Sequence, residues 1–433
     1  MSDNTGPVKG EPRTKNVKEL IEVLSTKPET PMLDQESPKN DFFILQDSWP
    51  VFKVFQFFGL FPCKKETNEK GAIQLKPIKW WIPVTILSIL LILLIGTLLG
   101  YLISSSKEVA DYLIAFFRCG LSENAARYYV SRIYVPVWFI FQSGLLWSLM
   151  KKRKELCALQ EIFSTTPLNY AAKKGANTLR KTRVYFVLII ALSLFGFVFN
   201  TIDSFLPLHE LLTTNASIVL NIIIAFLFCM LQLFIHLPMI NIVILYLQLT
   251  CNIMNSIEEI DLNSLKFGTI LENTAHLMKR VNMTSSFLSP QCFFGILVQT
   301  LALIVEFFVL IDYSTGSSHF FYPSFVSKIF LSMSIFCILN WQSYDVKQRL
   351  SEIRLYIFNF AITENNFVVI DTQKHPEEYA RKIVMSMLEE FRGFDANGYF
   401  TLGKDLLGYI IMLCITYVIV LIEFRIPLLT KTE

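Results

Sequence analysis

Seven apolar stretches recur along this chain, each long enough to cross a bilayer, and they leave few fold classes open. A hydrocarbon core of ~30 Å takes about 20 helical residues to span. The stretches are 80–103, opened by a Trp80-Trp81 pair, then 129–150, 184–206, 216–249, 287–311, 320–341 and 406–424. The expected fold class is an all-α membrane protein with seven transmembrane helices. The fourth stretch is too long for one simple crossing and is expected to tilt or to run on into the cytoplasm. Residues 109–117 make only half a span and are assigned to an outer loop. Composition agrees: 17% of the 433 residues are charged, against about a quarter in soluble domains.

Basic residues orient the bundle. Lys64, Lys65, Lys70, Lys76 and Lys79 precede the first span. Lys151, Lys152, Arg153 and Lys154 follow the second, and Lys347, Arg349 and Arg354 follow the sixth. The stretches 207–215 and 312–319 carry no Lys or Arg. The N-terminus is therefore expected in the cytoplasm and the C-terminus outside. The glycosylation sequon at Asn215 falls on the outer side, as it must to be used, whereas the sequon Asn282-Met283-Thr284 falls inside and is expected to be silent. The expected layout is a polar tail with an interfacial helix over 1–79, the interfacial part at 43–62. A six-helix bundle follows over 80–341, a cytoplasmic region over 342–404, the last helix over 405–425 and an outer tail over 426–433. Residues 1–40 are polar, without the apolar core of a signal peptide.

Several function classes are disfavoured. Receptors that couple to G proteins run the other way through the membrane, and neither a DRY-like triplet nor an NPxxY-like sequence is present. A transporter built from repeats would show duplicated halves, and none is visible. An enzyme reading finds no HExxH, GxSxG or phosphate-cradling loop, and His236 and His319 stand alone. The eight cysteines are scattered, with no CxxC pair and no zinc spacing. They read as buried or reduced thiols, and no metal or cofactor is expected. A net charge of +3, with no Lys/Arg run interleaved with aromatics, gives no nucleic-acid groove.

The last span ends Thr416-Tyr417-Val418-Ile419-Val420-Leu421-Ile422-Glu423-Phe424, and Gly398-Tyr399-Phe400-Thr401 precedes it. This resembles the signature that closes insect gustatory receptors: Thr-Tyr, five apolar residues, then Gln-Phe. Span count, orientation and the short outer tail are similar too. The resemblance implies a tastant-gated, non-selective cation channel. It would be a homo- or heterotetramer similar to the odorant receptor co-receptor, with a central pore formed by the last helix and an anchor built from 342–400. Two departures stand. Glu423 replaces the usual Gln, and Val418 replaces the Glu common after Thr-Tyr in the sugar-sensing branch. Phe57-Phe58-Gly59-Leu60-Phe61-Pro62 does look like that branch's lead-in segment, so sugars and bitter compounds both stay open as ligands.

On a helix Tyr417, Val420 and Phe424 share a face, flanked by Thr416 and Glu423. These are the pore and gate candidates, with ordinary helix packing as the competing explanation. Glu423 would form a ring of four carboxylates at the outer mouth, which concentrates cations, or would pair locally with Arg425. The resemblance places the ligand pocket among the outer halves of the earlier helices. The polar and aromatic candidates there are Arg132, Tyr134, Trp138, Asn200, Asp203, Asn221, Gln299, Glu306, Tyr322 and Lys328. Charge inside a membrane is costly and marks function by default, although Glu306 would equally serve as a structural ion pair with Arg132 or Lys328.

Overall fold

A computed structural model describes residues 43–57, 59–67, 73–78, 137, 140–165, 183–185, 187–195, 198, 218–260, 262, 266–313, 322–363 and 376–429. The elements in chain order are α1 (Trp49–Phe57), β1 (Cys63–Thr67), β2 (Ile73–Pro77), α2 (Arg153–Thr165), α3 (Ile218–Glu258), α4 (Phe267–Tyr313), α5 (Tyr322–Thr363), α6 (Pro376–Glu390), β3 (Asp395–Ala396), β4 (Phe400–Thr401) and α7 (Lys404–Leu429). Further helical residues at 140–151 lead into α2, and others lie between 183 and 198. The fold is all-α and multi-helical, trimmed by two antiparallel two-stranded hairpins, β1–β2 and β3–β4.

Three helices set the scale. α3, α4 and α5 have 41, 47 and 42 residues, so at 1.5 Å per residue each runs ~60–70 Å, about twice the hydrocarbon thickness. Among the described residues, Leu237–Glu258 and Phe267–Phe307 are long and apolar enough to cross a membrane. The fourth stretch lies within α3, which continues past 249 to Glu258. The fifth and sixth stretches behave alike. α4 starts 20 residues before 287, and α5 passes through Trp341 to Thr363 without a break. Hydropathy detects the apolar part of a helix; the remainder carries more polar residues and packs on its neighbours, so the sequence pattern ends where the helix does not. The expected span 80–103 lies outside the described residues, as do parts of 129–150 and 184–206.

The extensions pack together at the inner end of the bundle, the side read as cytoplasmic. Phe267 of α4 stacks on Phe360 of α5 at 4.1 Å, and Arg354 of α5 pairs with Glu389 of α6 at 2.7 Å. The lead-in segment also differs from expectation. It is not one interfacial helix over 43–62; among its described residues only Trp49–Phe57 is helical, and Phe43, Ile44, Leu45, Phe52, Phe55, Leu60 and Phe61 are buried. A polar stripe on α3 holds it. The Asn241 amide donates to Leu60 O at 2.8 Å, Gln248 Oε1 accepts from Ser48 Oγ at 2.8 Å, and the Asn252 amide donates to Ile44 O at 2.7 Å. Spacings of seven and four place these three on one helix face, where they meet two backbone carbonyls and the Ser48 hydroxyl. Each buried Phe adds about 1.5–3 kcal/mol.

The hairpin β1–β2 then packs on α2. On its exposed side Glu66 lies between Lys64 and Lys76, and those two ammonium groups hold its carboxyl down at about 2.

Candidate functional site

α7 is the element that the sequence signature marks, and the structure shows how it is held. The segment from Arg392 to Gly403 is short, yet it is bonded on every side. Asn397 and Gly398 have φ of 56° and 77°, and Tyr399 N donates to Ala396 O at 3.1 Å. Two consecutive positive φ values are the mark of the type I′ turn, which favours Asn-Gly because its geometry suits twisted hairpins. The Asp395 carboxylate accepts from Gly398 N at 2.9 and 3.0 Å and from Ser289 Oγ of α4 at 3.1 Å. Ser289 Oγ in turn accepts from Asn397 N at 2.7 Å. The rings of Tyr399 and Phe400 stack on Phe293 of α4.

α5 holds the other side. Ser343 Oγ accepts from Phe394 N at 3.1 Å and donates to Leu402 O at 2.8 Å. Asn340 Oδ1 accepts from Gly403 N at 2.9 Å. Lys404 opens α7 with its ammonium 3.7 Å from the Tyr344 ring centroid and 5.1 Å from that of Trp341, a cation–π pairing. Tyr246 of α3 lies beneath, fully buried, with its hydroxyl donating to Leu339 O at 2.9 Å and its ring edge-on to Phe394. The aromatic segment before the last helix is therefore a hairpin bracket joining α7 to three long helices.

α7 itself is covered on one side only. Ile410, Cys414 and Val418 are buried, an i, i+4, i+8 stripe facing α4 and α5. Tyr409, Met412, Leu413, Ile415, Tyr417, Ile419 and Val420 are exposed. A helix apolar all round is stable only when lipid or further protein covers it. At 100° per residue, Glu423 lies about 180° from the middle of the buried stripe, Thr416 about 160°, Val420 about 120° and Tyr417 about 60°. Glu423 is exposed in the chain by itself, and Thr416 Oγ1 is bonded back to Met412 O at 2.9 Å. Of the pore candidates, Thr416, Val420 and Glu423 thus point away from the bundle, whereas Tyr417 sits at the edge of the packed face. The side chain of Phe424 lies outside the described residues.

Of the pocket candidates, Gln299, Glu306 and Lys328 are described. Gln299 and Glu306 are both 9% exposed and seven residues apart on α4, hence on one face. Lys328 of α5 is close enough to act on Glu306 electrostatically, while Glu306 Oε2 is buried without a hydrogen-bond partner. Arg132, Tyr134, Trp138, Asn200, Asp203 and Asn215 lie outside the described residues, and nothing is described of the side chains of Asn221 and Tyr322 beyond their place on α3 and α5. Among the described residues no three His, Cys, Asp or Glu side chains are grouped to hold a metal ion.

The sequence reading missed two groupings at the inner end. Cys63 and Cys157 face each other with Sγ atoms 3.8 Å apart. Arg280 of α4 is fully buried between Ser256 and Phe163, near Glu259. Neither shows a local motif, since each is assembled from distant stretches.

No family model and no curated protein matches the chain. Its fold is similar to the solved structure of the insect olfactory receptor OR5 from Machilis hrabei, with TM-score 0.57 and 14% identity over 87% of this chain and 98% of that one. The same receptor in complex with eugenol gives TM-score 0.52 and 16% identity over 87% and 99%. This likeness spans nearly the whole of both chains. It shows an all-α, multi-span fold of the kind seen in that structure.

Proposed function

We propose that this chain is a subunit of a ligand-gated, non-selective cation channel of the gustatory-receptor type, acting in the plasma membrane of a chemosensory neuron. The observation that carries the reading is α7: an apolar helix bracketed to the bundle at one end, covered on one stripe, and bearing Glu423 opposite that stripe. Four copies arranged around an axis would turn the uncovered faces inward. Val420 would then line a hydrophobic constriction that closes by dewetting, and Glu423 would ring the mouth with carboxylates that favour cations. The likeness to an olfactory receptor supports a small-molecule ligand.

Ligand-evoked current in a naive cell expressing only this chain tests the channel. Replacing Glu423 with Gln is expected to lower calcium permeability relative to sodium several-fold and to weaken divalent block. Unchanged ratios would remove Glu423 from the pore.

For the ligand, the proposed class is sugar-like polyols, supported by Gln299 and Glu306 on one buried face beside Lys328. Such groups hydrogen-bond hydroxyls and are poorly matched to an apolar bitter compound. Glu306→Gln is expected to raise the half-maximal sugar concentration about tenfold, some 1.4 kcal/mol of binding, with the maximal current kept. Loss of surface protein at an unchanged half-maximal concentration would instead make Glu306 and Lys328 a structural pair. A response to bitter compounds alone would overturn the sugar reading.

A further inference from the structure

Cys63 opens β1 and is fully buried, while Cys157 lies in the second turn of α2 and is half-buried. They are 94 residues apart in sequence, yet their Sγ atoms are 3.8 Å apart and share a thiol hydrogen bond. The Cys63 thiol also lies 3.9 Å from Arg153 O. Two unlinked thiols at this separation are in van der Waals contact, and a disulfide would bring them to about 2.0 Å. The remaining approach of about 1.8 Å is within reach of a side-chain rotation. Both cysteines sit on the side read as cytoplasmic, where thiols rest reduced.

We propose that Cys63 and Cys157 form a reversible, peroxide-sensitive disulfide site that clamps the β1–β2 hairpin to α2.

The two sulfurs are not equivalent. The hydrogen bond with Cys63 and the Arg153 guanidinium one turn away bring the Cys157 thiol down, against burial. The hydrogen bond with Cys157 and burial push Cys63 well up. Cys157, reachable from solvent and the better thiolate, is the attacking sulfur; thiolates rather than thiols attack. Its lone pair takes one oxygen of hydrogen peroxide, the O–O bond breaks, and the departing hydroxide leaves as water on gaining a proton. Cys157 is now a sulfenic acid. The Cys63 sulfur then attacks the Cys157 sulfur, the S–O bond breaks, and a second water leaves. Two thiols and one peroxide give one disulfide and two waters. Peroxide is reduced and both sulfurs are oxidised. The bond would fix the hairpin against a helix that also packs on α4.

The test uses the full chain, purified in detergent and titrated with hydrogen peroxide. Peptide mass spectrometry is expected to find a Cys63–Cys157 cross-linked peptide, two hydrogens lighter than its parts, that disappears with dithiothreitol. In Cys63→Ser the Cys157 sulfenic acid has no resolving partner, so labelling by a dimedone probe should rise several-fold over wild type. In Cys157→Ser no label should reach Cys63. Oxidation of exposed Cys337 without the cross-linked peptide would overturn the proposal. So would equal dimedone labelling in wild type and Cys63→Ser. If a serine variant does not give a monodisperse peak, the cross-linked peptide in wild type decides alone.

Discussion

Alanine at Gly393 is expected to unfasten α7 from the bundle. Gly393 has φ of +133°, a backbone state that L side chains rarely adopt. A Cβ there would lie 2.8 Å from Leu402 O and 3.2 Å from Ser343 Oγ. Those two atoms are the partners of the hydrogen bond that ties α5 to the start of α7. The substitution therefore adds backbone strain of about 1–3 kcal/mol and breaks a buried hydrogen bond at about 1–3 kcal/mol. Two nearby glycines provide the scale. Gly398 has φ of +77° but open space where a Cβ would go, so alanine there should cost about 1 kcal/mol. Gly403 has neither constraint, and its alanine variant should match wild type. Thermal melting of the purified protein should rank the variants Gly403, Gly398, Gly393 in increasing loss. Ligand-evoked current should vanish only for the last. Equal melting of the Gly393 and Gly403 variants would refute the bracket as a mechanical tie.

The same segment shows what the sequence could and could not reveal. The signature around Thr416 and Tyr417 and the aromatics before it drew attention to α7 and the hairpin that precedes it. The packing role of that segment was invisible, because Ser289, Asn340 and Ser343 are ordinary helix residues until α4 and α5 bring them round Asp395, Leu402 and Gly403. Asn397-Gly398 is the local exception, a turn signal that could have placed the hairpin. Hydropathy located the segments now seen as α3, α4, α5 and α7 but not the inner ends of the first three of these. There polar residues such as Asn252 and Arg280 are buried against backbone and side chains instead of lipid. The face shared by Tyr417, Val420 and Phe424 came from period alone. Period cannot say which arc the bundle covers; burial of Ile410, Cys414 and Val418 does, and it moves the uncovered arc towards Thr416 and Glu423.

Arg280→Ala is expected to be among the most destabilising substitutions at the inner end. The guanidinium is fully buried; it donates to Ser256 Oγ of α3 at 2.7 Å and to Phe163 O of α2 at 3.4 Å, and it lies 4.8 Å from the Phe163 ring centroid. One side chain thus joins α2, α3 and α4. Its removal leaves a cavity, unpaired polar atoms and the part-buried Glu259 without its cation, at about 3–5 kcal/mol. Glu259 makes the loss pH-dependent. Burial pushes its carboxyl up to about 7 from 4.5, and Arg280 opposes the rise. The folded state therefore holds this proton more tightly than the unfolded state. Its contribution to stability is fully present below about 4.5 and is lost as pH rises through about 7. In Arg280→Ala the opposing charge is gone, so the loss should extend above pH 7. In Glu259→Gln it should be absent, leaving that variant more stable than wild type at pH 8. Melting temperatures between pH 5 and 8.5 should thus converge at the acid end and separate at the alkaline end. Parallel curves for those two proteins would mean that Glu259 is solvated rather than held under Arg280.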